Sequence, residues 1–159
     1  KQLGLDPLPD CAPTLDERTG NFDAADYPLI LLTGVREKTY HHSRFRDQAW
    51  ARKVSPKPEI QVNPADAGAA GFATGDWVRV ETAGHDGQCR LSVRVTDDAP
   101  PGVVRTGVGW WYPEADGPEH GALDVNINAS MSYDGPWDPV TGSADVRGMR
   151  CRLSPVNQP

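Results

Sequence analysis

Cysteine is scarce in this chain, long apolar runs are absent, and positive charge is in the minority. Only Cys11, Cys89 and Cys151 are present, widely spaced and without a Cys-x-x-Cys pair. That spacing argues against a cysteine metal site and against a disulfide framework. No apolar run approaches the ~20 residues that cross a bilayer, so membrane insertion is not expected. Sixteen Lys and Arg face 22 Asp and Glu, a net charge of −6, which disfavours nucleic acid as a partner. Also missing are a nucleophile beside a base, a close carboxylate pair and a Walker-type phosphate loop. By itself, then, the chain reads as a binding domain without catalytic activity of its own.

Glycine and proline are plentiful, 16 and 15 of 159 residues. Both weaken helix interiors, so this composition predicts a mainly β protein of one domain. Residues 1–26 are Pro- and Asp-rich and read as a linker or arm from a preceding domain. With Lys1 at the start and no signal-like stretch, the chain reads as a piece of a longer protein. The globular part is expected over 27–159.

Tyr27–Thr33 is an apolar run that predicts a strand buried on both faces. A polar stretch from Gly34 to Pro58 follows, with no clear element. Glu59–Val62 alternates as a second strand. Asn63-Pro64 then opens a short helix, with Asn63 as N-cap, and Gly71 closes it. Trp77–Thr82 and Gln88–Val95 predict an antiparallel hairpin. In the second of these strands Cys89, Leu91, Val93 and Val95 point inward, and Arg90, Ser92 and Arg94 outward. Val103–Thr106 and Val146–Leu153 complete a set of five or six short strands. With one short helix and two long loops, they suggest a closed or nearly closed barrel.

Charge is unevenly spread. Between Arg36 and Lys57 seven basic residues (Arg36, Lys38, Arg44, Arg46, Arg52, Lys53 and Lys57) face two acids, a net of +5. Nine bases and twenty acids elsewhere give −11. A basic loop that leaves a strand at Thr33-Gly34 and carries His42-Ser43 has the chemistry to bind a phosphate or diphosphate. Glycine admits the anion to the backbone, arginine offers a planar fork and serine a hydroxyl. A solvated loop is the plainer reading of the same charges. His41 and His42 are adjacent and lack a third ligand nearby, which argues against a metal. Asn63 and Asp66 have two readings as well: helix cap and first-turn carboxylate, or acceptors for the N–H edge of a purine. Trp110 and Trp111 either cover a flat heterocycle or plug a barrel end. Asn126 and Asn128 suit a polar ring system but are also ordinary loop residues.

The order of these segments resembles the C-terminal molybdopterin-dinucleotide-binding domain of the dimethyl sulfoxide reductase family of molybdenum and tungsten enzymes. The segments are YPLILLTG (27–34), HHS (41–43), EIQVNPADAGAAGFATGDWVRVE (59–81), VTDDAPPGVV (95–104), GWWYPE (109–114), VNINA (125–129) and VRGMRCRL (146–153). GLDPLP near the N-terminus resembles the stretch that precedes this domain. The resemblance implies a double-psi β-barrel of about six strands with short helices and long loops. Two loop crossings near its mouth would then form a polar cradle for a long anionic pterin nucleotide. Thr33, Gly34 and Arg36 match the loop that wraps the dinucleotide, and His42 and Ser43 its distal turn. Asn63 and Asp66 match the guanosine end, with Asp66 facing the base. Trp110 and Trp111 match a stretch that approaches the cofactor, and Asn128 a pterin contact, although here it opens Asn-Ala-Ser-Met rather than Asn-x-Leu-Thr. Arg147 is a further phosphate or pterin contact.

The implied cofactor is molybdopterin guanine dinucleotide, with molybdenum or tungsten held by the full-length enzyme and an iron–sulfur cluster only in other domains. Implied partners are the preceding domains of the same polypeptide and an electron-transfer subunit. An alternative of a different class is a non-catalytic double-psi barrel that binds a protein or peptide through its basic and Trp-rich loops.

Overall fold

The computed structural model describes residues 4, 23–133, 137–138, 140–144 and 146–157. Cys11 and most of the 1–26 arm lie outside the described residues. Six strands, β1 (Leu29–Thr33), β2 (Glu59–Val62), β3 (Trp77–Thr82), β4 (Gln88–Val95), β5 (Val103–Thr106) and β6 (Met149–Val156), form a closed barrel. Around the barrel their order is β1-β5-β2-β4-β3-β6. Three short helices accompany them: α1 (Ala49–Val54), α2 (Pro64–Ala70) and α3 (Ala122–Val125). No helix among the described residues is long and apolar enough to cross a membrane.

Alternation builds the core. Leu31, Ile60, Val62, Val78, Val80, Cys89, Leu91, Val93, Val104, Met149 and Cys151 all point into the barrel and are at most 1 % exposed. Each strand thus supplies one apolar face, and closure leaves no unpaired edge. Two strand expectations need correction. On β1 the apolar run is fully buried on one side only, since Leu32 is 37 % exposed beside buried Leu31 and Thr33. The last strand runs Met149–Val156 rather than 146–153. Residues 146–148 instead fold against β1, with Val146 O accepting from Thr33 Oγ1 at 2.9 Å and the Gly148 N–H donating to Leu31 O at 2.9 Å. On the outer face of β4, Ser92 is buried rather than exposed.

Strand direction decides where each loop emerges. β1 and β5 are parallel, β2 and β4 are parallel, and the other four pairings are antiparallel. β1, β3 and β5 therefore finish at one end, called here the upper end, and β2, β4 and β6 finish at the lower. The 34–58 connection passes across β5 at the upper end. The 96–102 connection passes across β2 at the lower end. These are the two interlocked crossings of a double-psi barrel. They lie at opposite ends of the molecule, not at one mouth as the sequence reading expected.

Helix α2 forms as its residues dictate. The Asn63 side chain accepts from Ala65 N–H at 2.9 Å and donates to Ala99 O at 2.8 Å, while Pro64 opens the helix and Gly71, at φ +74°, ends it. Asp66 Oδ2 accepts from the Gly102 N–H at 2.7 Å. Asn63 and Asp66 thus tie the lower crossing to the start of α2. Asn63→Ala is expected to cost about 1–2 kcal/mol, because a cap is lost and a buried carbonyl is left unpaired. Asp66→Ala is expected to cost about 1 kcal/mol for the lost strap. Urea denaturation of the two variants checks both values.

Candidate functional site

The upper end carries a cleft of about 360 Å3. Its walls bring together four of the residues singled out from the sequence, Gly34, Arg36, His42 and Arg147. Gly34 leaves β1 at φ +85°, and a Cβ there would stand 3.7 Å from Arg147 Nη2. A bare backbone is therefore presented beside a guanidinium, the combination that suits an anion. Arg36 and Arg147 are exposed, and neither is paired with a carboxylate among the described residues. Thr33 lies beneath this wall, buried, with its hydroxyl spent on Val146 O.

The distal turn is strained. His42 and Phe45 have φ of +55° and +69°, a region that side chains with a Cβ rarely occupy. Strain of this kind persists only where surrounding contacts hold it. Here the 107–111 segment does so. Trp111 Nε1 donates to Ser43 O at 2.7 Å, and Gly109 packs directly on the His42–Ser43 peptide. Ser43 belongs to this turn but does not line the cleft.

The two tryptophans divide their work. Trp110 is only 2 % exposed and packs with Tyr40, Ala51 and Val125 in a second apolar cluster. Its Nε1 donates to Glu37 Oε1 at 3.0 Å. The ring is buried in this cluster, apart from the main barrel core, rather than laid open on the surface. Trp111 is half-buried and fastens the turn. Asn128 is exposed in the 3-10 turn Ile127–Ser130, at the upper end but outside the cleft lining. Asn126 Oδ1 accepts from both Gly109 N–H, at 3.2 Å, and Asn128 N–H, at 3.3 Å. α3, just before it, is anchored to the barrel by Arg90 of β4, whose Nε donates to Asp124 Oδ1 at 2.7 Å.

Asn63 and Asp66 do not join this group. They lie at the lower end, separated from the cleft by the length of β2, with the Asn63 amide engaged in capping and strapping and Asp66 Oδ2 bonded to the Gly102 N–H. The expectation placed them with the other residues because sequence order does not show that β2 runs away from the cleft.

Six lining residues were not among the sequence candidates for the site: Val35, Glu37, Tyr40, His41, Arg46 and Val108. Arg46 is one of the seven basic residues of the loop, yet it is buried against Tyr40 and Trp110. Burial pushes its pKa down, partly offset by the Glu37 carboxylate, and burial likewise pushes Tyr40 up against the opposing pull of Arg46. Tyr40, the one Phe, Tyr or Trp in the 34–44 stretch, was the available sign of a second core there. Of the other loop cations, Arg52 is drawn off by Glu114 at 2.8 Å.

Residues 29–150 match the family described as "Molydopterin dinucleotide binding domain". The chain belongs to this family. Among its relatives, dopamine dehydroxylase of Eggerthella lenta is 31 % identical over 137 residues, covering 84 % of this chain and 13 % of that protein. Acetylene hydratase of Syntrophotalea acetylenica is 32 % identical over 154 residues, covering 93 % of this chain and 21 % of that protein. The solved structure of acetylene hydratase from Pelobacter acetylenicus superposes with a TM-score of 0.86 at 30 % identity, covering 98 % of this chain and 22 % of that one. The chain thus spans between an eighth and a quarter of the length of these relatives. It is a molybdopterin-dinucleotide-binding domain of the kind found in larger molybdenum and tungsten oxidoreductases, and the molybdopterin cofactor follows from that membership.

Proposed function

We propose that the upper cleft receives the diphosphate-bearing part of molybdopterin guanine dinucleotide, with Gly34, Arg36, His42 and Arg147 as its contacts. The observation that carries this reading is the convergence, on one concave surface, of a side-chain-free backbone and two guanidinium groups that no carboxylate among the described residues engages. The donor set fits the group: diphosphate is anionic, and cationic forks with an open peptide are what it requires. Thr33, Ser43 and Trp111 support this surface, and Asn128 is placed to meet a pterin that extends beyond it. Trp110, Asn63 and Asp66 hold the scaffold. When bound, the pterin dithiolene carries the molybdenum or tungsten at which the redox chemistry takes place. The barrel's own residues bind and orient.

In the same proposal the domain works within a larger molybdenum or tungsten oxidoreductase. Its other domains enclose the rest of the cofactor and carry the iron–sulfur cluster, and an electron-transfer subunit completes the assembly. The guanine form rests on the resemblance set out above. GDP and ADP titrated calorimetrically into the chain test it. GDP is expected to bind weakly, several-fold tighter than ADP, and less well as salt rises, because exposed charges are screened. Equal affinity for the two nucleotides overturns the guanine assignment, and binding indifferent to salt overturns the cationic cleft.

A further inference from the structure

Among the described residues, Arg46 is the one charged side chain that is fully buried, at 1 % exposure. Its guanidinium carbon lies 3.8 Å from the ring centroid of Tyr40 and 3.8 Å from that of Trp110, so the cation sits in the corner made by two rings that meet edge to face at 75°. Nη2 donates to His42 O at 3.0 Å and to Val108 O at 3.4 Å, and faces Glu37 Oε1 at 3.5 Å. Nε and Nη1 have no hydrogen-bond partner among the described residues. A buried, half-satisfied cation is a poor device for stability, since an apolar side chain of similar volume fills such a space at less cost. What arginine supplies here, and an apolar residue does not, is a bridge in which one nitrogen, Nη2, donates to the carbonyls of both residue 42 and residue 108.

The segment held by that bridge is the strained one. His42 sits at φ +55° and lines the cleft. Gly109 adjoins it at φ +78°, where a Cβ would stand 2.8 Å from Ser43 N and 2.9 Å from His42 C. Trp111 ties the next carbonyl, that of Ser43. Two consecutive carbonyls of the turn are thus drawn onto the 107–111 segment, and only glycine at 109 permits the approach. We propose that Arg46 is a positioning residue, which clamps the strained His42–Ser43 turn onto residues 108–109 and so holds His42 in place at an already formed anion site. The inference deepens the cofactor reading above and rests on it. It requires arginine in particular. A lysine ammonium has no planar face to lay against an aromatic ring while its nitrogen reaches both carbonyls.

The test is an NMR titration of the 159-residue chain with inorganic pyrophosphate, following backbone amides and arginine Nε–H signals. In the wild type, pyrophosphate is expected to shift Arg36 and Arg147 Nε–H together with the His42 and Ser43 amides. In Arg46→Lys the barrel amides and the Arg36 and Arg147 responses should persist, while the His42 and Ser43 responses vanish and affinity falls about tenfold. Gly109→Ala attacks the same turn from its other side and should give the same selective loss. Undiminished responses at His42 and Ser43 in both variants overturn the inference. So does loss of all responses together with barrel dispersion in both, which makes Arg46 a fold residue only. A wild type in which neither Arg36 nor Arg147 responds overturns the cofactor reading itself.

Discussion

Replacing Arg36 and Arg147 together by glutamine is expected to weaken GDP binding about 100-fold, roughly tenfold for each charge-assisted contact. Both side chains are exposed, and neither is engaged by a carboxylate among the described residues. Their removal should therefore leave stability within about 0.5 kcal/mol of wild type. This separation of binding from folding gives the experiment its force. A residue that merely shaped the cleft would show up in the melting curve, whereas a residue that meets the ligand shows up only in the isotherm. The single variants should each lose about one order of magnitude and combine additively, because the two groups act on the anion from different elements, the loop after β1 and the turn before β6. Calorimetry with GDP, paired with thermal denaturation, reads both quantities.

The second large effect concerns the strand from which the cleft loop departs. Leu31→Ala is expected to destabilise the chain by about 2–5 kcal/mol. Leu31 is completely buried, pairs with Val104 on one side and Met149 on the other, and packs in the main core with Ile60, Val80 and Leu91. In a closed barrel no edge strand can shift to fill the space, so the cavity term should be near its full value. The same strand positions Gly34 and, through the Gly148 N–H bond to Leu31 O, the approach of Arg147. GDP affinity should therefore decline in this variant as well, in step with the unfolded fraction. Chemical denaturation followed by tryptophan fluorescence measures the loss. A change below 1 kcal/mol would contradict the packing described here.

Much of this architecture was legible because local chemistry decided it. The alternation in β4 fixed which face of Cys89, Leu91 and Val93 is inside, and Asn63-Pro64 with Gly71 fixed both ends of α2. Gly34, Arg36 and His42 were also singled out by the basic loop that leaves β1, and they do come together in one cleft. What could not be read was set by pairing at long range. Nothing in the Asn63–Asp66 segment says that β2 runs parallel to β4 and delivers it to the lower end, away from the cleft. Helix α1 has no N-cap side chain bond and one buried residue, Ala51, so its pattern is too short to register. Arg46 looked like one more surface base because burial of a charge depends on partners more than fifty residues away, at Val108 and Trp110.

The correction at Asn63 and Asp66 also sharpens the functional account. Two interlocked crossings remain, but one presents cations and strained backbone while the other is tied to α2 through Asn63 and Asp66. On the proposal above, the polar cradle belongs to the upper end alone. Residue-resolved NMR mapping of GDP on the wild-type chain tests that assignment most directly. The account predicts amide and side-chain shifts concentrated at Gly34, Arg36, His42 and Arg147, with Asn63, Asp66 and Gly102 unmoved; shifts centred on those last three residues, with a silent upper cleft, would contradict it.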